Sequence, residues 1–404
     1  MGSPLFDVEA VRRDFPILEK GVVYLDSAAS SLTPEQVVLK EAEFYREYRA
    51  NVERGVHRFS QRASEEYEGA RDVVAGFIGA PSAESVAMLR NTTEGINLVA
   101  NALDWRKGDK IVTTVMEHHS NFITWLRVAS RHGCRVEAVR PDAEGRFDMA
   151  DFERAVDDET RLVAVTWVSN VLGCIVPVKE VAAIAHERGA LVLVDGAQGV
   201  PHLRTDVGDS GVDFLAFSGH KMLGPTGSGG LYIAESELRR TEPLCIGGGT
   251  IADVSVDRFE LAAPPMRFEA GTPAIAQVIG LGEACRYLDR VGMDAVERWD
   301  ARLARRLVEG LGGIGGVEVY GPRDSRERVG IVPFNVQGMN PHDVALSLDA
   351  EHGIAVRSGH HCALPLMKEL FGLPEGMVRA STYIYNTPDE IELLLGAVED
   401  IARG

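Results

Sequence analysis

The chain of 404 residues is 45% hydrophobic and 25% charged, with a formal net charge of -18. That length supports a large core and two domains. The acidity argues against sequence-independent binding to nucleic acid or to an anionic membrane, both of which require a basic face. No apolar run approaches the roughly 20 residues of a membrane-spanning helix, and Met1 to Glu19 carries acids and a proline where a leader would carry an apolar core.

The five cysteines (Cys134, Cys174, Cys245, Cys285 and Cys362) are widely spaced and form no CxxC pair. Neither a disulfide framework nor a metal site is predicted, and a reducing cytoplasm fits best. Cys134, Cys174, Cys245 and Cys285 have mostly apolar neighbours and read as inert packing residues.

In chain order, Ser85 to Leu89 reads as a strand, and Thr92-Thr93-Glu94-Gly95 opens a helix behind it. Helix N-termini bind phosphate through free N–H groups and the helix dipole, and threonine hydroxyls add donors. An ordinary threonine cap with an acid at the third position fits the same residues. Lys110 to Met116 is the next strand and ends in Glu117-His118-His119, ahead of a predicted helix. His118 could lay a neutral ring on a planar ligand, or it could be a capping or core histidine. His118 and His119, being adjacent, should point in different directions. Leu162 to Val168 ends in Ser169-Asn170, and Val178 to Arg188 has helical periodicity between Pro177 and Gly189.

Ala190 to Val194 ends in Asp195-Gly196-Ala197-Gln198. A carboxylate after Leu-Val-Leu-Val is poorly solvated and needs a cationic partner, such as the N–H of a pyridinium ring. A helix cap or a nucleotide-site metal ligand would also place an acid there, but no GxxxxGK[ST] phosphate loop accompanies it. Phe214 to Phe217 ends in Ser218-Gly219-His220-Lys221, before the glycine-rich turn Gly224 to Gly230. A lysine delivered to the end of a buried strand is easiest to understand if its amine is not an ammonium. Schiff-base formation with an aldehyde cofactor removes that charge, and pyridoxal phosphate is the leading candidate. Ser218 and His220 could complete a phosphate cup.

Gly230 to Ile233 closes this βαβ rhythm, which predicts a mainly parallel sheet flanked by helices. Ligands in such sheets bind beyond the carboxyl ends of the strands, where these polar residues fall. Leu244 to Pro265 is rich in glycine and proline breaks, and Ala274 to Val291 is helical. From about residue 292 a smaller α+β domain is expected, so the large domain spans 22–291 and the small one 1–21 with 292–404. The small domain should hold helices at Ala295 to Leu311, after Pro341 and from Pro388, with strands near Val317 to Tyr320 and Ile331 to Asn335. Within it, Arg357-Ser358-Gly359-His360-His361-Cys362 places a thiol beside cationic side chains near a helix start, which favours thiolate. A zinc-ligand role would have to use consecutive residues, which chelate one ion poorly.

Taken together, these residues resemble the class V aminotransferase group of fold-type I pyridoxal phosphate enzymes. The resemblance is greatest to the Suf-type (group II) cysteine desulfurases, which overlap with selenocysteine lyases. It runs through Leu25 to Ala29, Asn51 to His57, Thr92 to Asn97, Glu117 to His119, Asp195 to Gln198, Ser218 to Lys221, Phe268 to Pro273, Arg357 to Cys362 and Tyr385 to Thr387, in order. Asn91 before the threonine pair is a small departure.

The resemblance implies that Lys221 links pyridoxal 5'-phosphate covalently, that Asp195 holds the ring nitrogen and Gln198 the ring hydroxyl, and that His118 stacks on the ring. Thr92, Thr93, Ser218 and His220 would bind phosphate, joined by Thr272 from the other subunit of a homodimer. Arg379 would clamp the carboxylate of L-cysteine, with Asn170, Arg357 and Ala28 beside it. Cys362 would take the sulfur as a persulfide and pass it to a Suf-type acceptor or scaffold for iron–sulfur cluster assembly. Selenocysteine lyase, a transaminase or kynureninase-like enzyme, and a non-catalytic sulfur carrier are the alternatives.

Overall fold

The computed structural model describes residues 6–53 and 55–403; Arg54, within the Asn51 to His57 motif, lies outside the described residues, as do 1–5 and Gly404. A short strand β1 (Val23–Tyr24) precedes the central sheet. That sheet has seven strands: β2 (Val86–Leu89), β3 (Lys110–Thr114), β4 (Arg135–Val139), β5 (Thr160–Thr166), β6 (Leu191–Asp195), β7 (Phe214–Ser218) and β8 (Gly229–Ile233), in the spatial order β2-β8-β7-β6-β5-β3-β4. Every pairing from β4 across to β7 is parallel, and β8 runs antiparallel to both of its neighbours.

The inner strands are continuous apolar runs, because a parallel sheet covered by helices buries both faces. Leu162 to Val165 and Phe214 to Phe217 are accordingly buried without alternation. One face packs on the helices Arg58–Phe77 and Ile275–Val291, and the other on Thr92–Ala102 and Ile123–His132.

Beyond the sheet, β9 (Ile251–Val254) and β10 (Phe259–Leu261) form a hairpin within the stretch expected to be irregular. The chain ends in a four-stranded antiparallel sheet, β11 (Val317–Val319), β12 (Ile331–Val336), β14 (Arg357–Gly359) and β15 (Met377–Ser381), ordered β11-β12-β15-β14. Between them, β13 (Ile354–Ala355) pairs with β1 in parallel. Helices Met293–Gly313, Pro341–His352 and Pro388–Arg403 belong with this sheet; Trp299, Leu303, Phe334, Ile391 and Leu394 share a core that also takes in Leu25. The chain after β1 thus ties the small sheet to the site, with Asp26 bridging to Ser381.

Two short strands of this sheet, β14 and β15, carry Arg357 and Arg379. β14 has only three residues, too few to show a pattern, and its antiparallel pairing with β15 sets Arg357 opposite Arg379. Among the described residues, no helix is long and apolar enough to cross a membrane.

Candidate active site

The carboxyl ends of β2, β3, β5, β6 and β7 converge on one cavity of about 280 Å³, lined on the far side by Arg357 and Arg379 of the four-stranded sheet and by His361 and Cys362. Ala28, Thr92, Thr93, His118, Asn170, Asp195, Gln198, Ser218, His220, Lys221, Arg357, Cys362 and Arg379 all line it. Thr272 does not. It is exposed on a turn outside the cavity.

Asp195 ends β6 in register with Thr166 of β5 and Ala216 of β7, deep in the sheet. It is buried, and one carboxylate oxygen accepts the Ala197 N–H at 2.9 Å. Burial raises its pKa, while the nearby Lys221 amine and that N–H pull it down. Lys221 follows β7 on a single 3-10 turn, Gly219–Lys221. Burial lowers its amine pKa, and Arg379 adds to this, against the opposing pull of Asp195 and Cys362. The turn is tight: a side chain at Gly219 would meet Ser228 Oγ at 2.3 Å.

His118 follows β3. Its Nδ1 accepts the Ser120 N–H at 3.1 Å, so the neutral ring carries its proton on Nε2. Burial, reinforced by Lys221, His119 and Arg379, lowers its pKa to about 3, and the ring is neutral at physiological pH. His220 is pushed down to about 4 by burial and Lys221.

Ser218 Oγ accepts the Thr92 N–H at 2.9 Å and lies 2.7 Å from Thr92 Oγ1, while Thr93 Oγ1 lies 2.7 Å from Ser120 Oγ. The helix Thr92–Ala102 is capped by Asn91, whose Oδ1 accepts the Glu94 N–H at 3.0 Å. The threonine pair is therefore not the cap. Its hydroxyls are left at the cavity rim with Ser218, a donor set suited to a phosphate.

At the opposite end Arg379 is buried, donates to the Asn170 carbonyl at 2.7 Å, and leaves Nε without a partner. Gln198 donates to the Ala28 carbonyl at 2.7 Å and leaves its buried Oε1 without a partner. A buried guanidinium N–H, a buried amide oxygen, a half-satisfied carboxylate and a desolvated amine all lack what a charged, hydroxylated ring and a carboxylate would provide. The residues present fit pyridoxal phosphate with an amino acid beside it. Among the described residues, no cluster could hold a metal ion.

Cys362 is exposed and belongs to a turn in which His361 and Cys362 both have positive φ, +50° and +59°. Asn170 Nδ2 donates to the His361 carbonyl at 2.6 Å, so this amide is engaged with the turn. Cys134, Cys174 and Cys285 are buried, and burial drives the Cys174 thiol up to about 12. Cys245 is exposed, against its reading as a packing residue, because its neighbours form a glycine-rich surface loop.

Sequence reasoning assigned no role to Asp26, Glu117 or His119, although each lies in a quoted motif. Asp26 meets Arg357 and Arg379 at 3.1 and 3.2 Å. Glu117 is fully buried behind His118, where it accepts from Thr114, Asn121 and the Thr166 N–H.

Residues 23–394 match the family described as aminotransferase class-V. The chain belongs to that family. It is 48% identical over 398 residues, 98% of each chain, to a probable cysteine desulfurase of Pyrococcus abyssi. It is 44% identical to a probable cysteine desulfurase of Staphylococcus aureus, covering 99% of this chain and 98% of the relative. Among solved structures, the apo cysteine desulfurase of Thermococcus onnurineus NA1 superposes with a TM-score of 0.95 at 48% identity and 100% coverage of both chains. The cysteine desulfurase CsdA of Escherichia coli, in an S-sulfonic acid form, gives 0.91 at 37% identity and 99% coverage of both. The class V fold thus accounts for the mainly parallel sheet and for the site at its carboxyl edge.

Proposed function

We propose that this class V chain is a pyridoxal phosphate-dependent cysteine desulfurase, converting L-cysteine to L-alanine with transfer of the sulfur to Cys362. The observation that carries this reading is that Lys221 and Cys362 open into the same cavity, between a hydroxyl-lined end and a buried arginine. A transaminase needs the lysine and the arginine but has no use for the thiol.

Lys221 would hold the cofactor, Asp195 its ring nitrogen, Gln198 its ring hydroxyl, and Thr92, Thr93, Ser218 and His220 its phosphate. When bound, the cofactor supplies an electron sink for the charge left at the substrate Cα. Arg379 receives the substrate carboxylate, using the fork that a planar guanidinium offers, with Arg357 at the cavity mouth and Asn170 and Ala28 alongside. Lys221, its amine pKa lowered by burial, takes the Cα proton. His118, whose neutral imidazole carries its proton on Nε2, would stack on the cofactor ring.

Cys362 thiolate attacks the sulfur of L-cysteine. The new S–S bond forms as the C–S bond breaks, the substrate Cβ keeps the electron pair and takes up a proton, Cα regains the proton held by Lys221, and the enzyme sulfur is oxidised to a persulfide. L-alanine leaves.

The finer points belong to the same reading. The enzyme is a homodimer in which Thr272 joins the partner's phosphate site. It works in the cytoplasm, and a Suf-type acceptor collects the persulfide sulfur for iron–sulfur cluster assembly. The large domain spans 22–291, and the small one 1–21 and 292–404.

The test measures alanine and protein-bound persulfide from L-cysteine. Equal yields in one turnover are expected, with Lys221→Ala losing both and Cys362→Ala keeping cofactor but forming no persulfide. Steady turnover of L-cysteine by Cys362→Ala would overturn the proposal. Turnover of selenocysteine alone by that variant would mark selenocysteine lyase activity.

A further inference from the structure

We propose that His119, the second histidine of the Glu117-His118-His119 motif, is a positioning residue that fixes the Cys362 turn and so the place of the attacking sulfur. The inference rests on the desulfurase reading and extends it to a residue that touches neither cofactor nor substrate.

His119 grips the turn at the cysteine carbonyl and two residues beyond it. Its main-chain N–H donates to the Cys362 carbonyl at 2.6 Å, and its Nε2 accepts the Leu364 N–H at 3.1 Å. The backbone that leads into these contacts is held in an unfavourable form, with His361 and Cys362 both in the left-handed region and the Ala363 N–H closing back on the His360 carbonyl at 2.9 Å. A side chain with a Cβ disfavours that region, so two in succession persist only where the surroundings over-determine them.

The other restraints act on the preceding residues: Asn170 holds the His361 carbonyl, and His361 Nε2 lies 3.0 Å from the Met377 carbonyl. After Cys362, Ala363, Leu366 and Met367 are anchored by burial in the core, and the His119 ring fixes the Leu364 N–H between them, which keeps the turn from relaxing and swinging the thiol off the cavity.

The ring can do this only as an acceptor, hence with its proton on Nδ1. Burial and His360 lower its pKa, which preserves that state at neutral pH. The two adjacent histidines therefore divide their work. His118 faces the cavity, and His119 turns away to the loop that carries the nucleophile.

The experiment compares holoenzyme of the wild type, His119→Phe and His119→Gln. Phenylalanine keeps the ring volume and removes the acceptor; glutamine restores an acceptor at the same reach. Cofactor absorbance and its titration with L-cysteine report the cofactor and carboxylate ends, and single-turnover mass analysis reports persulfide on Cys362.

Persulfide formation should fall about 10- to 100-fold in His119→Phe, as a roughly 1 Å misplacement of a reacting group can do, with L-cysteine affinity within about threefold and substantial recovery in His119→Gln. Wild-type rates in His119→Phe would overturn the proposal. So would a glutamine variant as slow as the phenylalanine variant, or cofactor loading that falls in step with the rate, since the role would then be structural. Absence of persulfide on wild-type Cys362 would instead overturn the desulfurase reading.

Discussion

Asp26 Oδ1 lies 3.2 Å from Arg379 Nη2, and the second oxygen of the same carboxylate lies 3.1 Å from Arg357 Nη1. One acid thus orders two arginines that line the cavity, one buried and one at its mouth, leaving the pair one net positive charge for one incoming carboxylate. Asp26→Ala should leave two guanidinium groups facing each other and destabilise the protein by about 1–3 kcal/mol. A small carboxylate such as acetate should restore part of the loss in the variant and have no such effect on the wild type. Thermal unfolding with and without acetate checks this; equal response of both proteins would show that Asp26 is not the anion that holds the clamp.

Glu117 is fully buried, and burial raises its pKa to about 8 even though three donors favour the anion. Its folded value lies above its unfolded one. The proton it retains therefore contributes stability that is fully present below about pH 4.5 and is lost as the pH rises through about 8. Glu117→Gln removes that titration and should flatten the dependence. The difference in Tm between wild type and Glu117→Gln, followed from acid to mildly alkaline pH, should move in favour of the variant across this window. Parallel curves would mean that Glu117 is already ionised in the folded protein.

Gly376 has φ +84°, and a Cβ there would stand 2.2 Å from the Gly359 carbonyl oxygen of β14. The contact is backbone to backbone, so no side chain can swing aside. Gly376→Ala should push β14 away from β15, cost about 2 kcal/mol, and displace Arg357 and the Cys362 turn that follows it. The measurement is denaturant unfolding together with the alkylation rate of Cys362. Unchanged values for both would show that the strand pair adapts.

His202 Nδ1 lies 2.8 Å from Asp300 Oδ2, both side chains being almost wholly buried where the short helix Gly199–His202 meets the helix Met293–Gly313. His202→Ala would leave the Asp300 carboxylate buried beside Thr382, whose Oγ1 is 3.5 Å away. A destabilisation of about 3 kcal/mol is expected, with Asp300→Asn restoring part of it in the double variant. Additive effects of the two substitutions would remove the coupling.

The polar ends of β3, β5, β6 and β7 were legible because a parallel sheet shows itself as apolar runs, and a residue that breaks such a run must sit at its edge. Asp195 and Lys221 needed only that rule. The Arg357 and Arg379 pairing was not legible in the same way. It depends on a three-residue strand and on Asp26, which lies 331 residues from Arg357 and 353 from Arg379 along the chain. His119 was passed over because nothing in a sequence says which of two adjacent histidines faces a cavity and which faces a loop.

The sequence by itself determined the repeating strand and helix order, the chemistry delivered to the sheet edge and, through its ordered motifs, the family. Those features are local in the chain: hydrophobic periodicity, breaks by glycine and proline, and the residue that follows each buried run. Tertiary structure alone decided that the Asn170 amide and the His119 ring close on the Cys362 turn, that Asn91 frees the threonine pair from capping, and that Thr272 stands apart from its own chain's cavity. Each of these depends on backbone groups brought together across the fold, where a hydrogen bond is fixed by the packing of whole elements and leaves no mark on the spacing of residues.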